Sequence, residues 1–277
     1  MSQDSPNLTH SRLYLQRLGY DSPPAPTLET LAQLQLRHVY TFAFENLSVL
    51  AQLPVPLDLA SIEQKVLFDG RGGYCYELNQ MFLALLQELG FDARGITGRV
   101  VIGGPPDAHT PRTHRLSLVT LAGVRYISDV AFGGMVPSSP LQLDNLAPQA
   151  TAHEPYRLTL KDGSYTLWAQ VGEEWRGLYV FDLQPQSHFD YELGNWYVST
   201  HPDSPFIKQL KVALIGPGLR RTLNNGNYAV HHVGGDSEKR SITDVDQLLE
   251  LLREAFGLRV PKHPQLRPRL AQLLADS

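Results

Sequence analysis

The stretch Asp69-Gly-Arg-Gly-Gly-Tyr-Cys-Tyr-Glu-Leu-Asn79 leads from a glycine-rich turn into the clearest helix of the sequence. Apolar residues recur there at helical spacing, and Gly90 stands where a glycine commonly follows a helix end. The apolar stripe consists of Leu78, Met81, Phe82, Leu85, Leu86 and Leu89. The sequence therefore predicts a helix that begins close to Cys75.

Cys75 falls in the first turn of this predicted helix. Unpaired backbone N–H groups and the positive end of the helix dipole favour a negative charge there, so a thiol at this position is disposed to act as a thiolate. The same N–H groups are suited to stabilise an oxyanion. A lone cysteine is more commonly a small buried apolar residue. From the helix start alone, both interpretations stay open.

Outward from this helix, the sequence favours helices on the N-terminal side and strands on the C-terminal side. Three further helices are predicted upstream, at 11–18, 27–39 and 57–68. Strands are predicted downstream at 93–102, 114–121, 124–132, 156–160, 165–171 and 175–183. The remainder mixes a helix at 189–200, strands at 207–215 and 220–233, and helices at 244–256 and 265–275. This order predicts an α+β fold in three parts, with a largely antiparallel β-sheet or barrel in the middle.

Composition narrows the functional classes. The 277 residues carry a net charge of -4, which leaves no electrostatic footprint for nucleic acid or for an anionic membrane. No apolar run approaches the roughly 20 residues of a membrane helix, and the N-terminus lacks the pattern of a secretion signal, so we expect a cytoplasmic protein. With one cysteine, an intrachain disulfide and a cysteine-based metal cluster are both impossible. The histidine spacing matches no metal motif, so no metal cofactor is expected.

His114 and Asp129 lie on a predicted hairpin whose turn is Ala122-Gly123. If that turn is a two-residue loop, Leu121 pairs with Val124, and the side chains of His114 and Asp129 share one face as diagonal neighbours, roughly 7–8 Å apart at the backbone. A slip of one residue would place them on opposite faces. Asp129 also interrupts an apolar strand, where a buried carboxylate needs a partner, and a protonated His114 is a suitable one.

Taken singly, each of these two residues is more commonly structural than catalytic, His114 as a solvated histidine and Asp129 as a residue at a strand end. A nucleophilic thiol, however, requires a base and a group that orients the base. Cys75, His114 and Asp129 together supply that set from a helix start and two neighbouring strands, and the combination predicts a catalytic triad.

At these residues the sequence resembles the arylamine N-acetyltransferases. The segment from Arg71 to Asn79 is close to the signature around that family's acyl-accepting cysteine. Further segments also match the family: Phe44-Glu-Asn-Leu47, Thr113-His114, Ser128-Asp-Val-Ala-Phe-Gly-Gly134, and Asn195-Trp196 followed by Ser199-Thr-His-Pro-Asp-Ser-Pro-Phe206. The resemblance implies a helical bundle at 1–90, a β-barrel at 91–188, a linking helix at 189–205 and an α/β lid at 206–277.

The resemblance also implies roles for individual residues. Cys75 is expected to be the nucleophile, His114 its base and later acid, and Asp129 the residue that orients His114. Coenzyme A is expected near Thr113 and Gly133, and a structural ion pair between Glu45 and Arg71 is expected beneath the site. From the residues alone, a surface charge pair is an equal alternative for Glu45 and Arg71. The expected acceptor pocket is lined by Phe44, Phe132 and Phe206.

The implied activity is the transfer of an acetyl group from acetyl-CoA to an arylamine or arylhydrazine, with no nucleic-acid or membrane partner. Ala131 stands where the family commonly has glycine, so the acyl-donor preference is not fixed by the resemblance. Sequence alone also describes the three phenylalanines as core aromatics.

Other functions share parts of this pattern. A related amide synthase that closes a macrocyclic lactam would use the same triad with a different acceptor pocket. A cysteine peptidase or a transglutaminase would share the triad but not the matches outside it. A small-molecule binder without activity is disfavoured, because all three chemical groups of the triad are present.

Overall fold

The computed structural model describes residues 7–105 and 107–276. Its first part is mainly helical, and the prediction of helices before residue 90 is confirmed. The helices are α1 (Ser11–Arg17), α2 (Leu28–Thr41), α3 (Leu47–Leu50), α4 (Leu59–Glu63), which continues into a π-helical turn (Gln64–Phe68), and α5 (Cys75–Glu88). Thr27 caps α2, because its hydroxyl accepts the Thr30 N–H at 3.1 Å. A two-residue strand, β1 (Phe44–Glu45), interrupts the helices.

The middle part is a nearly closed antiparallel barrel of seven strands. They are β2 (Asp92–Val100), β3 (Arg112–Leu121), β4 (Val124–Ser128), β5 (Leu141–Gln142), β6 (Tyr156–Lys161), β7 (Ser164–Val171) and β8 (Glu174–Phe181). Their order in the sheet is β5-β4-β3-β2-β8-β7-β6. The six predicted strands are present, whereas β5, with two residues, was not predicted.

The turn between β3 and β4 has the geometry that the sequence predicts. Ala122 and Gly123 both adopt positive φ, 49° and 79°, as a two-residue hairpin turn requires. Leu121 pairs with Val124, and the ladder continues in the predicted register to Ser117 and Ser128. The strand ends there, so Asp129 lies one residue beyond it.

The last part begins with helices α6 (His188–Thr200) and α7 (Pro205–Lys208). It continues with β9 (Lys211–Gly216), β10 (Leu219–Asn224), β11 (Asn227–His232), β12 (Ser237–Ser241), α8 (Val245–Phe256) and α9 (Leu266–Ala275). The sheet order β1-β9-β10-β11-β12 includes β1, so the N-terminal region contributes an edge strand to the C-terminal sheet.

Two predictions in this last part are wrong, and one strand was missed. The strand predicted at 220–233 is two strands, β10 and β11, because Asn225 and Gly226 form a hairpin turn between Asn224 and Asn227. The strand predicted at 207–215 begins only at Lys211, because Ser204 and Pro205 start a short helix through an N-cap hydrogen bond and a fixed φ. The strand β12 was missed, since all five of its residues are polar and exposed and give no alternating signal.

Three groups of buried apolar side chains correspond to the three parts. One lies around α2 and α5, one inside the barrel, and one between the C-terminal sheet, α3, α8 and α9. Phe132 packs against both the helical group and the barrel group, which places it at their junction. No helix among the described residues is long and apolar enough to cross a membrane.

Candidate active site

The glycine-rich turn positions the start of α5. Cys75 is the first residue of the helix, as predicted. A Cβ atom on Gly72 would lie 2.0 Å from the carbonyl oxygen of Ala43, so only glycine allows this approach of the two backbones. Glu77 accepts the Tyr74 N–H at 3.1 Å with its carboxylate and thereby caps the helix. These contacts fix the backbone that carries Cys75.

His114 and Asp129 meet directly, 2.7 Å apart between Nε2 and Oδ2. His114 lies on β3, and Asp129 follows the end of β4. The pair is buried, with only 2% of His114 and 1% of Asp129 exposed. The hairpin register therefore brings the two side chains together as the sequence predicts.

Four donors hold the Asp129 carboxylate, three from side chains and one from the backbone. Its Oδ1 accepts the Asn79 side-chain amide at 2.9 Å and the Ala131 N–H at 3.0 Å, and its Oδ2 accepts the Tyr179 hydroxyl at 3.1 Å in addition to His114. Burial by itself raises the pKa of Asp129, but the charge of His114 and these hydrogen bonds outweigh it and hold the pKa below its usual range. Asp129 is therefore an anion.

Asp129 in turn keeps His114 protonated. Burial lowers the pKa of His114, but the Asp129 charge and hydrogen bond outweigh it, together with the neighbouring Cys75, and raise the pKa to about 10. The sulfur of Cys75 lies 3.5 Å from the carbonyl oxygen of Thr113, the residue before His114. The sulfur of Cys75, the imidazolium of His114 and the carboxylate of Asp129 thus form one continuous arrangement.

The predicted ion pair between Glu45 and Arg71 is present. The two side chains are 2.7 Å apart and buried, and Lys65 and Glu77 form a second pair at 2.6 Å. Lys65 also lies 4.0 Å from Glu45, which joins the two pairs into one network. Since Glu77 caps α5 and Arg71 lies in the glycine-rich turn, this network supports the helix start that carries Cys75.

A cavity of about 600 Å³ opens beside Cys75. Its wall brings together seven of the eight predicted site residues: Cys75, His114, Thr113, Gly133, Phe44, Phe132 and Phe206. The eighth, Asp129, lies behind His114. The three phenylalanines are partly buried; the rings of Phe44 and Phe206 are 5.8 Å apart, and that of Phe132 is 5.0 Å from His114.

Two residues of this arrangement were not assigned a role from the sequence. Asn79 lies one helical turn after Cys75, so the spacing of four residues is a signal that places both on one face of α5. Its side chain also accepts the Val130 N–H at 3.0 Å and donates to the Arg115 carbonyl at 2.7 Å, so it joins the helix to both strands. Tyr179 lies on β8, far along the chain, and no local pattern connects it with Asp129.

In the described part of the chain, no three histidine, cysteine or acidic side chains are grouped so that they could hold a metal ion. The described site brings together the sulfur of Cys75, the imidazolium of His114, the carboxylate of Asp129 and the backbone N–H groups of the α5 start.

Comparisons with known proteins agree on one family. A family model described as N-acetyltransferase matches residues 27–265. An arylamine N-acetyltransferase of Mycolicibacterium smegmatis is 41% identical over 249 residues, covering 88% of this chain and 90% of that protein. The arylamine N-acetyltransferase of Escherichia coli K12 is 38% identical over 274 residues, covering 98% and 96%.

Solved structures of this family are also similar to this chain over most of its length. The structure of the Mycobacterium marinum arylamine N-acetyltransferase has a TM-score of 0.90 and 38% sequence identity, and the match covers 95% of this chain and 99% of that one. A structure of the same protein in complex with CoA has a TM-score of 0.88 at 38% identity, with 94% and 98% covered. The likeness therefore extends over all three parts of the fold.

Proposed function

The chain belongs to the arylamine N-acetyltransferase family, and we propose that it moves the acetyl group of acetyl-CoA to an arylamine or arylhydrazine through the thiol of Cys75. One observation carries the proposal: Cys75 begins α5 on the wall of a cavity that also contains His114, which is held by Asp129 at 2.7 Å. The chain is similar to acetyltransferases along most of its length, which favours this function over an amide synthase, a peptidase or a transglutaminase.

In the first half-reaction, the Cys75 thiolate attacks the thioester carbonyl carbon of acetyl-CoA. The new bond joins the Cys75 sulfur to that carbon, and the bond from the carbon to the CoA sulfur breaks. The proton that left the thiol resides on His114 and passes to the departing CoA sulfur. The backbone N–H groups in the first turn of α5 stabilise the oxyanion that forms between these steps.

In the second half-reaction, the amine nitrogen attacks the acetyl carbon. The bond to the Cys75 sulfur breaks, and the proton of the amine passes to His114, which returns the site to its starting state. Aromatic amines and hydrazines suit this step because they are weakly basic and stay unprotonated at neutral pH. Throughout, Asp129 stabilises the charged form of His114.

The cavity wall supplies places for both substrates. The Mycobacterium marinum relative has been solved in complex with CoA, and we assign CoA in this chain to the side of the cavity lined by Thr113 and Gly133. We assign the acceptor ring to Phe44, Phe132 and Phe206, whose partly buried rings offer an apolar surface. Strands β9 and β10 contribute further residues to the wall and help to keep water from the acetyl-cysteine.

Initial-rate kinetics test the proposal. With acetyl-CoA and an arylamine varied together, the two-step mechanism predicts parallel lines in double-reciprocal plots, and Cys75→Ala is expected to have no measurable transfer. His188→Ala, which changes an exposed histidine on α6, serves as a control and should match the wild type. Intersecting lines, or transfer by the Cys75→Ala variant, would contradict the proposal.

A further inference from the structure

Besides the imidazolium of His114, the described wall of the active-site cavity carries one basic side chain. Among the described residues that line the cavity, Lys211 is the only lysine or arginine, and Asp203 is the only aspartate or glutamate. Lys211 is the first residue of β9, in the wall opposite the barrel strands. Most of the remaining wall is apolar or uncharged, so this ammonium group is conspicuous.

Among the described residues, none supplies a carboxylate as a counter-ion to the ammonium group of Lys211. In the described ranges 7–105 and 107–276, no carboxylate lies within 4.0 Å of its Nζ; the nearest polar contact is the side-chain oxygen of Asn224, at 3.5 Å. Asp203 is placed instead beside Lys208, at 3.9 Å. Lys211 is half-buried, and burial lowers its pKa. A bound anion would offset the free-energy cost of partly burying an unpaired ammonium charge.

The backbone of Lys211 is fixed to the wall that carries the aromatic rings. Asn46 accepts the Lys211 N–H at 2.8 Å and donates to the carbonyl oxygens of Phe206 and Gln209, at 2.8 and 2.7 Å. Lys211 and Ala213 point to the same side of β9 because they are two residues apart. Ala213 pairs directly with Phe44 of β1. The ammonium group thus belongs to the same wall as the rings of Phe44 and Phe206.

We infer that Lys211 binds an anionic ring substituent of the acceptor, such as a carboxylate, and makes the enzyme prefer acidic aromatic amines over neutral ones. This inference rests on the proposed function, since it concerns the acceptor of the second half-reaction. An aromatic ring against Phe44 and Phe206 fills the apolar part of the wall, and its carboxylate neutralises the ammonium group. In a partly water-excluded cavity such a pair is worth more than on the surface.

The phosphate groups of CoA are the other source of an anion. They carry several negative charges, whereas the cavity wall as described offers one ammonium group, which matches a single carboxylate. Lysine and arginine side chains that are exposed to solvent, such as Lys239 and Arg240 on β12, are better suited to a group with several charges that stays hydrated.

The test compares two acceptors that differ only in charge, 4-aminobenzoate and 4-aminobenzamide. kcat/KM is measured for each with wild type, Lys211→Met, Lys211→Gln and Lys211→Arg, at saturating acetyl-CoA. We expect the ratio of benzoate to benzamide to fall at least tenfold in the Met and Gln variants, which corresponds to about 1.4 kcal/mol, and to stay within threefold of wild type in the Arg variant. Lys208→Met, which changes an exposed lysine three residues away, should leave the ratio unchanged.

Both acceptors are measured on the same preparation of each variant. A lower folded fraction reduces both kcat/KM values equally and therefore cancels from their ratio. An unchanged ratio in Lys211→Met and Lys211→Gln would overturn the inference. So would a rise in the KM for acetyl-CoA with no change in the ratio, because that result would assign Lys211 to a CoA phosphate. A wild type that acetylates neither acceptor would contradict the proposed function itself. This outcome differs from failure of the Lys211 inference, in which both acceptors are acetylated but the ratio does not change.

Discussion

At the scale of single residues, Asp129 controls the protonation state of His114. Its carboxylate raises the pKa of His114 to about 10, so replacement by asparagine removes the charge that keeps the imidazole protonated. We expect Asp129→Asn to lower kcat/KM for acetyl-CoA by about 10²- to 10⁴-fold, the range of a lost acid–base function. The measurement is the rate of acetyl transfer at fixed acceptor concentration.

Asp182→Asn is the matched control for that experiment. Asp182 also pairs with a basic side chain, Arg112, but it is not part of the cavity wall. Its replacement should change kcat/KM by less than threefold. An Asp129→Asn enzyme that is folded by circular dichroism and retains more than a tenth of the wild-type rate would refute the role given to Asp129.

The sequence predicted the three central residues for identifiable reasons. The helix start at Cys75 was predicted from its place between a glycine-rich turn and an apolar stripe, and the contact of His114 with Asp129 was predicted from one hairpin register. Asn79 and Tyr179 were missed as partners of Asp129, because a hydrogen bond between distant segments depends on how helix and barrel pack. Periodicity carries no information about such contacts.

At the scale of elements, the hairpin of β3 and β4 sets the register that joins His114 to Asp129. Ala122 adopts a φ of 49° in its turn, a conformation that costs an L-residue with a Cβ atom but not glycine. We expect Ala122→Gly to raise the free energy of unfolding by about 0.5–1 kcal/mol, measured by urea denaturation, with unchanged kinetics.

Gly123 provides the opposite substitution in the same turn. Its φ is 79°, and no atom lies within 4 Å of the place where a Cβ would stand. Gly123→Ala should therefore lower the free energy of unfolding by about 1 kcal/mol through backbone strain alone. If both substitutions were neutral, the turn geometry that supports the register would be wrong.

Element prediction succeeded where local signals are strong and failed where they are weak. The barrel strands alternate and are separated by turn residues, and their bounds were predicted within a few residues. β1 and β12 gave no signal, since β1 has two residues and β12 is fully exposed. Both form because a longer neighbouring strand offers unpaired backbone groups, which is a tertiary effect.

At the scale of the whole molecule, His38 makes the stability of the fold depend on pH. It is fully buried between Phe42, Phe82 and Tyr14, whose hydroxyl lies 2.5 Å from Nδ1, and burial lowers its pKa from 6.5 to about 3. The unfolded chain therefore binds a proton at mildly acid pH that the folded chain does not bind. Stability from this residue is complete above pH 6.5 and is lost as the pH falls toward 3.

The pH effect is tested against His38→Phe, which keeps an aromatic ring but cannot titrate. Between pH 7 and pH 5, we expect the wild type to lose about 2 kcal/mol of unfolding free energy relative to this variant. The raised pKa of His114 acts in the opposite direction, since its contribution is complete below pH 6.5 and is lost as the pH rises through about 10. His114 is present in both proteins, so its contribution cancels when the unfolding free energy of one is subtracted from that of the other. Parallel pH profiles would contradict the prediction.

Asn46 connects the N-terminal region to the C-terminal sheet through three backbone hydrogen bonds, to Phe206, Gln209 and Lys211. Asn46→Ala should loosen this wall of the cavity and admit water to the acetyl-cysteine. We expect the fraction of acetyl groups lost to hydrolysis, relative to transfer, to rise several-fold; both products come from one intermediate, so the folded fraction cancels. Asn145→Ala, on an exposed loop, is the control. If the ratio of hydrolysis to transfer were the same in both variants, the proposed role of Asn46 in the cavity wall would be wrong.

The central claim is that Cys75 carries the acetyl group. The most direct test is intact-protein mass spectrometry after mixing with acetyl-CoA and no acceptor, beside a Cys75→Ala control. The account predicts a gain of one acetyl mass on the wild type alone, and its loss when an arylamine is added. An unmodified wild type that is nevertheless folded and catalyses acetyl transfer, or an equal adduct on the Cys75→Ala variant, would contradict it.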